Sequence, residues 1–147
     1  MKNIVNFFAL TLLITISSCQ QYADGGLVSK GDNRIVNTWK LSSYTLDGVD
    51  ATSTLLIQNL QESYDDDGTY SRSYTDKDGA HFEEAGNWNL PDKAEEIDIN
   101  GVSSLELSDA HSTVSSDYYI IKRMKKDEYW YEYTNGGAVH QFRFVPL

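Results

Sequence analysis

From residue 34 to the C-terminus, apolar and polar side chains alternate in short blocks. Tyr129, Tyr131 and Tyr133 share one face of a block, with Trp130, Glu132 and Thr134 on the other. In the next block His140, Phe142 and Phe144 alternate with Gln141 and Arg143. Side chains of a β-strand point to opposite faces in turn, so the Tyr and Phe rows are predicted inside, with Glu132, Gln141 and Arg143 outside. The blocks are punctuated by Asp47-Gly48, Asp67-Gly68, Asp78-Gly79, Asn100-Gly101 and Asn135-Gly136. Such pairs mark tight hairpins because glycine adopts positive φ freely. Strands are predicted at 38–46, 61–66, 69–75, 80–90, 95–99, 103–108, 116–124, 127–134 and 138–145. Residues 53–61 read either way, since Leu55, Leu56, Asn59 and Leu60 suit a short helix capped by Ser53. Arg34 to Asn37 suits one helical turn before the first strand. The expected fold class is all-β: an up-and-down antiparallel sheet of about 8–9 strands whose two edges vanish on closure into a barrel. No stretch supports a βαβ crossover, which excludes doubly wound parallel folds.

The first 18 residues follow a different rule. Lys2 is followed by an apolar run from Ile4 to Ile16, broken by Asn6, Thr11 and Thr15, and then by Ser17 and Ser18. The run is shorter than the roughly 20 residues that span a bilayer core. It has the form of a secretory signal peptide. Cys19, the single cysteine, comes next. Ile16-Ser17-Ser18-Cys19 resembles the lipobox of bacterial lipoproteins, which implies a lipid attached at Cys19 and cleavage before it. Two or more acyl chains on one residue meet the two-signal requirement for stable membrane anchoring. Gln20, Gln21, the Gly25-Gly26 pair and Ser29-Lys30-Gly31 then read as a flexible tether. The expected organisation is a signal peptide at 1–18, a lipidated tether at 19–32 and a barrel domain at 33–147.

Composition narrows the partners. The chain has 147 residues, 22 acidic against 12 basic, for a formal charge of −10. Removing residues 1–18 takes away one lysine and no acid, making the mature chain one unit more negative. Such a chain repels nucleic acid. With one cysteine it forms no internal disulfide, so the core must hold the domain by itself. Eighteen aromatic residues (10 Tyr, 5 Phe, 3 Trp) supply that core.

Candidate catalytic chemistry is sparse. His81, His111 and His140 lie in separate segments, without the spacing of a zinc site. The acidic turns around Gly68 and Gly79 fail as calcium loops, because position 12 falls on Tyr74 or Ala85 where a glutamate is required. Glu83-Glu84 and Glu95-Glu96 are adjacent, so on a strand they face opposite ways and do not converge as a glycosidase pair. No nucleophile elbow, P-loop or dinucleotide fingerprint occurs. Lys122-Arg123 and Lys125-Lys126, ahead of Asp127-Glu128, read as a solvated hairpin end. No enzyme, no metal and no cofactor is expected.

Several segments taken in order resemble a known family. Ile35-Val36-Asn37-Thr38-Trp39-Lys40-Leu41 precedes Tyr44 and Asp47-Gly48. Asp66-Asp67-Gly68-Thr69-Tyr70, Gly86-Asn87-Trp88-Asn89-Leu90 and Glu128-Tyr129-Trp130-Tyr131-Glu132-Tyr133-Thr134 follow. This series, behind a lipobox, is similar to the lipocalin-like lipoproteins of the Bacteroidota across nearly all of 34–147. The resemblance implies a lipocalin-like β-barrel in the cell envelope. Gln20 after Cys19, in place of the Asp that retains enterobacterial lipoproteins in the inner membrane, points to the outer membrane, facing either the periplasm or the surface. Lipocalins carry Gly-x-Trp at the first strand, with the Trp closing the barrel floor; here Asn37 stands at the glycine position before Trp39. Lipocalins also set a late-strand Arg against that Trp, which implies Arg143 on Trp39.

Two functional readings remain. In one, Tyr129, Tyr131, His140 and Phe142 line a cavity for a small, partly apolar ligand, neutral or cationic given the charge. In the other, they pack a dry core, and the lipoprotein docks another envelope protein through its outer surface. Both readings require the anchor. Cys19→Ala should block lipidation and leave an uncut precursor, seen as a slower band in membrane fractions. Normal processing and soluble release of that variant would refute the lipid attachment.

Overall fold

The computed structural model describes residues 20–27, 34–91, 95–113 and 117–147. The expected signal peptide, Cys19 and residues 28–32 of the expected tether lie outside the described residues. Among the described residues eleven strands appear: β1 (Asn37–Leu46), β2 (Val49–Asp50), β3 (Gln58–Tyr64), β4 (Thr69–Thr75), β5 (His81–Asn89), β6 (Glu96–Asn100), β7 (Glu106–Ser108), β8 (His111–Ser112), β9 (Asp117–Met124), β10 (Tyr129–Asn135) and β11 (Ala138–Pro146). The sheet order β11-β10-β9-β6-β5-β4-β3-β1, with β11 paired back to β1, closes an eight-stranded antiparallel barrel. β2 extends the sheet beside β1, and β7 and β8 form a separate ribbon.

The turns show why the chain reverses where it does. Asp47 and Gly48 both take positive φ (50° and 79°), as do Gly136 and Gly137 (59° and 85°). Two successive left-handed residues match the twist of the strands they join. At Asp65–Gly68 and Asp76–Gly79 a single left-handed glycine ends the turn, and the Asp67 and Asp76 carboxylates accept backbone N–H groups. That is the turn chemistry expected of these acidic segments.

Several expectations are corrected. Residues 53–61, which read either way in the sequence, follow a 3-10 turn at Thr52–Thr54, with an extended Leu55 and β3 from Gln58. Ile57 and Leu60 are pulled into the core, and a bulge at Asn59 (φ 55°) fits the strand between them. The predicted strand 103–108 shrinks to β7 and leaves the barrel. Asn100-Gly101 leads out to the ribbon rather than back along β6, which pairs with β9 instead. Asn37 opens β1 without positive φ. Arg143 does not meet Trp39. It faces outward by strand alternation and lies 4.4 Å from the Trp130 ring, with Arg123 4.7 Å from the same ring.

The inner face carries the Tyr and Phe rows as alternation requires. Tyr129, Tyr131, Tyr133, Phe142 and Phe144 are buried, while Glu132, Gln141 and Arg143 are partly exposed. The barrel has two unlike ends. The lower end holds the start of β1, the 65–68 turn and the 125–128 turn. Trp39 is buried there, packs 5.6 Å from Tyr129 and donates its Nε1 proton to the Ile35 carbonyl at 2.8 Å. Arg34 donates to the Met124 carbonyl at 3.1 Å. Residues 20–27, expected as part of the tether, lie against this end, with Tyr22 buried.

The upper end is capped by the β7–β8 ribbon. Leu105 and Leu107 are buried, and the Leu56 N–H donates to the Leu107 carbonyl at 3.0 Å. Tyr133 Oη and Asn135 Nδ2 both donate to the Ser112 carbonyl, at 3.0 and 3.1 Å. Between the ends, Gly86 allows β5 and β6 to meet closely, since a Cβ there would stand 2.1 Å from the Asn100 carbonyl oxygen. Gly86→Ala should therefore cost about 1–3 kcal/mol, as overpacking does. A urea melt checks this, and an unchanged midpoint would contradict it.

Candidate ligand-binding site

Two polar constellations interrupt the aromatic interior. The first is a cross-strand row. Strand alternation places Glu62 between Leu60 and Tyr64, Arg72 between Tyr70 and Tyr74, and Glu84 between Phe82 and Gly86, all on the inner face. Register pairs Glu62 with Arg72 and Arg72 with Glu84. The Arg72 Nε donates to Glu84 Oε2 at 2.6 Å, and its Nη2 donates to the Ser103 carbonyl. Glu62 is 2% exposed and accepts hydrogen bonds from Tyr64 Oη at 2.6 Å and Tyr131 Oη at 2.8 Å.

The physical chemistry of this row follows from burial. Loss of water pushes the Glu62 carboxyl above its ordinary value, against the tyrosine hydrogen bonds and the Arg72 charge, which pull it down. Burial and the Glu62 charge push Tyr64, Tyr129 and Tyr131 well above the usual phenol range, so they remain donors. Burial also disfavours the Arg72 charge, but Tyr70, Glu84 and Glu62 more than offset it.

The second constellation lies under the ribbon. Tyr44 Oη and His140 Nδ1 are 2.7 Å apart. The His140 ring stacks on Tyr133 at 4.7 Å and meets His111 edge-on at 5.0 Å. Its Nε2 is buried with no partner among the described residues. Burial, then the neighbouring His111, lowers the His140 pKa. Burial and Asp47 push the Tyr44 hydroxyl up to about 12. At neutral pH both groups are therefore uncharged. With Tyr44 donating to Nδ1, the imidazole proton sits on Nε2, the nitrogen that lacks a partner.

Open space lies at the rim of the barrel. A cleft of about 270 Å³ is bounded by Leu56, Ile57, Tyr74, Phe82, Ser104 and Glu106, with the 76–78 turn beside it. Tyr74 and Phe82 stack there at 5.2 Å with their planes 12° apart. Phe82 is 40% exposed. A neighbouring cleft of about 360 Å³ shares Leu56 and Glu106 and is bounded by the ribbon, including His111. A third hollow of about 440 Å³ lies at β3–β5, bounded by Gln61, Ser71 and Ser73 and by Glu62, Arg72 and Glu84 of the polar row.

The structure brings the four sequence-predicted residues onto one inner wall. Tyr131 lies 5.2 Å from Phe142 and 5.5 Å from Tyr129, and His140 stands at the upper end of the same strand as Phe142. All four are buried, and the rim clefts are bounded by other residues. Sequence reasoning passed over Glu62, Arg72, Tyr74 and Phe82. The available signal was a charged residue set between two aromatic or aliphatic residues of one strand face.

Structures of known proteins identify the architecture. A lipocalin-like protein from Bacteroides uniformis superposes with a TM-score of 0.57 at 17% identity, covering 78% of this chain and 99% of its own. The fold is a lipocalin-like barrel. An uncharacterized protein from Bacteroides eggerthii gives a TM-score of 0.52 at 14% identity, covering 76% and 98%. No family model matches the sequence, and no curated protein matches it. Among the described residues the inner face of this lipocalin-like barrel is lined by buried aromatic rings, and open hollows lie at the rim and at β3–β5.

The buried carboxyl gives a sign-definite pH dependence. A carboxyl whose folded pKa is raised contributes fully below its unfolded value of 4.5 and loses that contribution as pH rises toward the folded value. Glu62→Gln removes the titration. Below pH 4.5 the pH-dependent part of the difference between parent and variant should vanish, and above it the parent should lose stability relative to the variant. Denaturant melts from pH 4 to 8 check this, and a difference that stays flat would refute the raised carboxyl.

Proposed function

We propose that the protein is an outer-membrane lipoprotein, held by acyl chains on Cys19, whose lipocalin-like barrel binds a small, partly apolar ligand at its rim. The observation that carries this reading is the cleft beside the stacked Tyr74–Phe82 pair. An aromatic ring left 40% exposed against a second ring offers a flat apolar platform at the barrel's upper rim. Asp76, Asp78 and Glu106 outnumber Lys77 around it, so a neutral or cationic guest suits the field better than an anion. Tyr129, Tyr131 and Phe142 lie on the inner wall of β10 and β11 and do not bound this cleft. His140 stands nearest the rim, its ring meets His111 of the ribbon edge-on, and its Nε2 has no partner among the described residues.

The reading is of a binder rather than an enzyme. Glu62 and Arg72 are 2% and 5% exposed, and their polar atoms are engaged by Tyr64, Tyr131, Glu84 and the Ser103 carbonyl, within the fold itself. The outer-membrane assignment rests on the resemblance of residues 16–19 to a lipobox, with Gln20 following. The alternative, an interaction lipoprotein with a dry core, is favoured by one observation. Trp39, Tyr64, Tyr70, Tyr129, Phe142 and Phe144 are fully buried and leave their region of the barrel filled.

Titration with an apolar cationic fluorescent probe separates the two. Saturable binding at one site is expected, weakened about fivefold by Phe82→Ala, equivalent to ~1 kcal/mol, with little change in stability. Tyr131→Ala should instead cost about 3–5 kcal/mol in a denaturant melt, as buried aromatic truncations do. Absence of saturable binding in the parent, with that stability loss intact, would leave the dry-core reading.

A further inference from the structure

The segment just after Cys19 is fastened to the barrel rather than free of it. The Asp24 N–H donates to the Lys122 carbonyl at 2.6 Å, and the Met124 N–H donates to the Gly25 carbonyl at 3.1 Å. Arg123 Nη1 donates to the Asp24 carbonyl at 2.6 Å. Gln21 and Leu27 form a β-bridge that folds the segment on itself, and Tyr22 is 3% exposed. Gly26 lies so close to β9 that a Cβ there would stand 2.0 Å from the Met124 carbonyl oxygen, and its φ is +103°. Gln20 donates to the Glu95 carboxylate at the foot of β6. Each of these contacts is at the lower end, opposite the rim clefts.

Cys19 is one Cα step, ~3.8 Å, from Gln20. A lipid on Cys19 is therefore attached one residue from Gln20, which is itself held at the lower end. The strands that separate the two ends are about eight residues long. At ~3.3 Å per residue and a tilt near 40°, the rim stands about 20 Å further from that point.

From this placement we propose that residues 20–27 act as an orienting strap. They seat the lower end of the barrel on the lipid surface and point the rim clefts away from it. The proposal deepens the anchored-lipoprotein reading and rests on it for the lipid. It commits to one partner, the bilayer that holds the acyl chains, and to one contacting face, the end carrying the 125–128 turn. A ligand then reaches the rim from the aqueous side, without crossing the headgroups.

The two readings can fail separately. The protein is purified in detergent from its own membrane, and the intact mass of the Cys19 peptide reports the acyl chains directly. If that thiol proves unmodified, the anchored reading fails. The same thiol, single in the chain, is then coupled to a maleimide lipid, so orientation is still read. In either form the protein is reconstituted into phosphatidylcholine vesicles and labelled with an amine reagent. Lys126 and Lys77 are both exposed and lie at opposite ends. Labelling of Lys126 relative to Lys77 should be about fivefold lower for the parent than for Gly26→Val, whose strap cannot seat. Tyr22→Ser serves as a second release variant, and a thermal melt confirms that each barrel is folded. An equal Lys126 to Lys77 ratio in parent and both folded variants, or protection of Lys77 in the parent, would overturn the strap.

Discussion

Pairing of β1 with β11 is the constraint on which the rest of this molecule depends. The two strands are the first long strand and the last in the chain, and their register runs from Trp39 opposite Pro146 to Leu46 opposite His140. Closure removes both sheet edges at once and encloses a single interior. Every strand must then deliver its inward residues into the same limited volume. A register shift between Leu41 and Ser43 adjusts β1 to this geometry, turning Tyr44 inward beside Phe142 at 5.1 Å.

The interior is met mainly with aromatic rings, and this explains the polar row. Tyrosines fill volume well, but each brings a hydroxyl that must find a partner once water is excluded. Glu62 supplies acceptors for two of them, Tyr64 and Tyr131, from opposite sides of the barrel. The carboxyl is desolvated in exchange, and Arg72 on the neighbouring strand offsets part of that cost. Arg72 is itself held by Glu84 and the Ser103 carbonyl, which ties the segment after β6 to the barrel wall. The row thus reads as the polar counterpart of the tyrosine core. It lies inside the fold and serves the fold.

The ends of the barrel divide the remaining tasks. The upper end carries the ribbon, the exposed Phe82, the rim clefts and the His140 Nε2 that has no partner among the described residues. The lower end is sealed by Trp39, Ile35, Met124 and Tyr22. The proposed binding site and the proposed attachment point thus fall at opposite ends. The same antiparallel topology produces both, because alternate connections fall at alternate ends.

Local chemistry was legible in the sequence alone. Asp47-Gly48 and the glycines after Asp67 and Asp78 specify turns through their own φ preference, so strand number and fold class follow without knowledge of any partner. The inward face of Tyr129, Tyr131, Tyr133, Phe142 and Phe144 follows from a two-residue period within one hairpin. Relations between distant segments were not legible. Arg143 meets Trp130 rather than Trp39, because outward-facing residues of adjacent strands meet each other and cannot cross the sheet. Residues 55–57 close the upper end instead of forming a helix, because Leu107, brought there by the ribbon, pairs with Leu56. The candidate site is legible only in part for the same reason. Its inner wall is one hairpin. Its rim joins β3, β4, β5 and the ribbon, and the joining of Glu62 to Tyr131, 69 positions apart, is decided by barrel closure and not by either residue's neighbours.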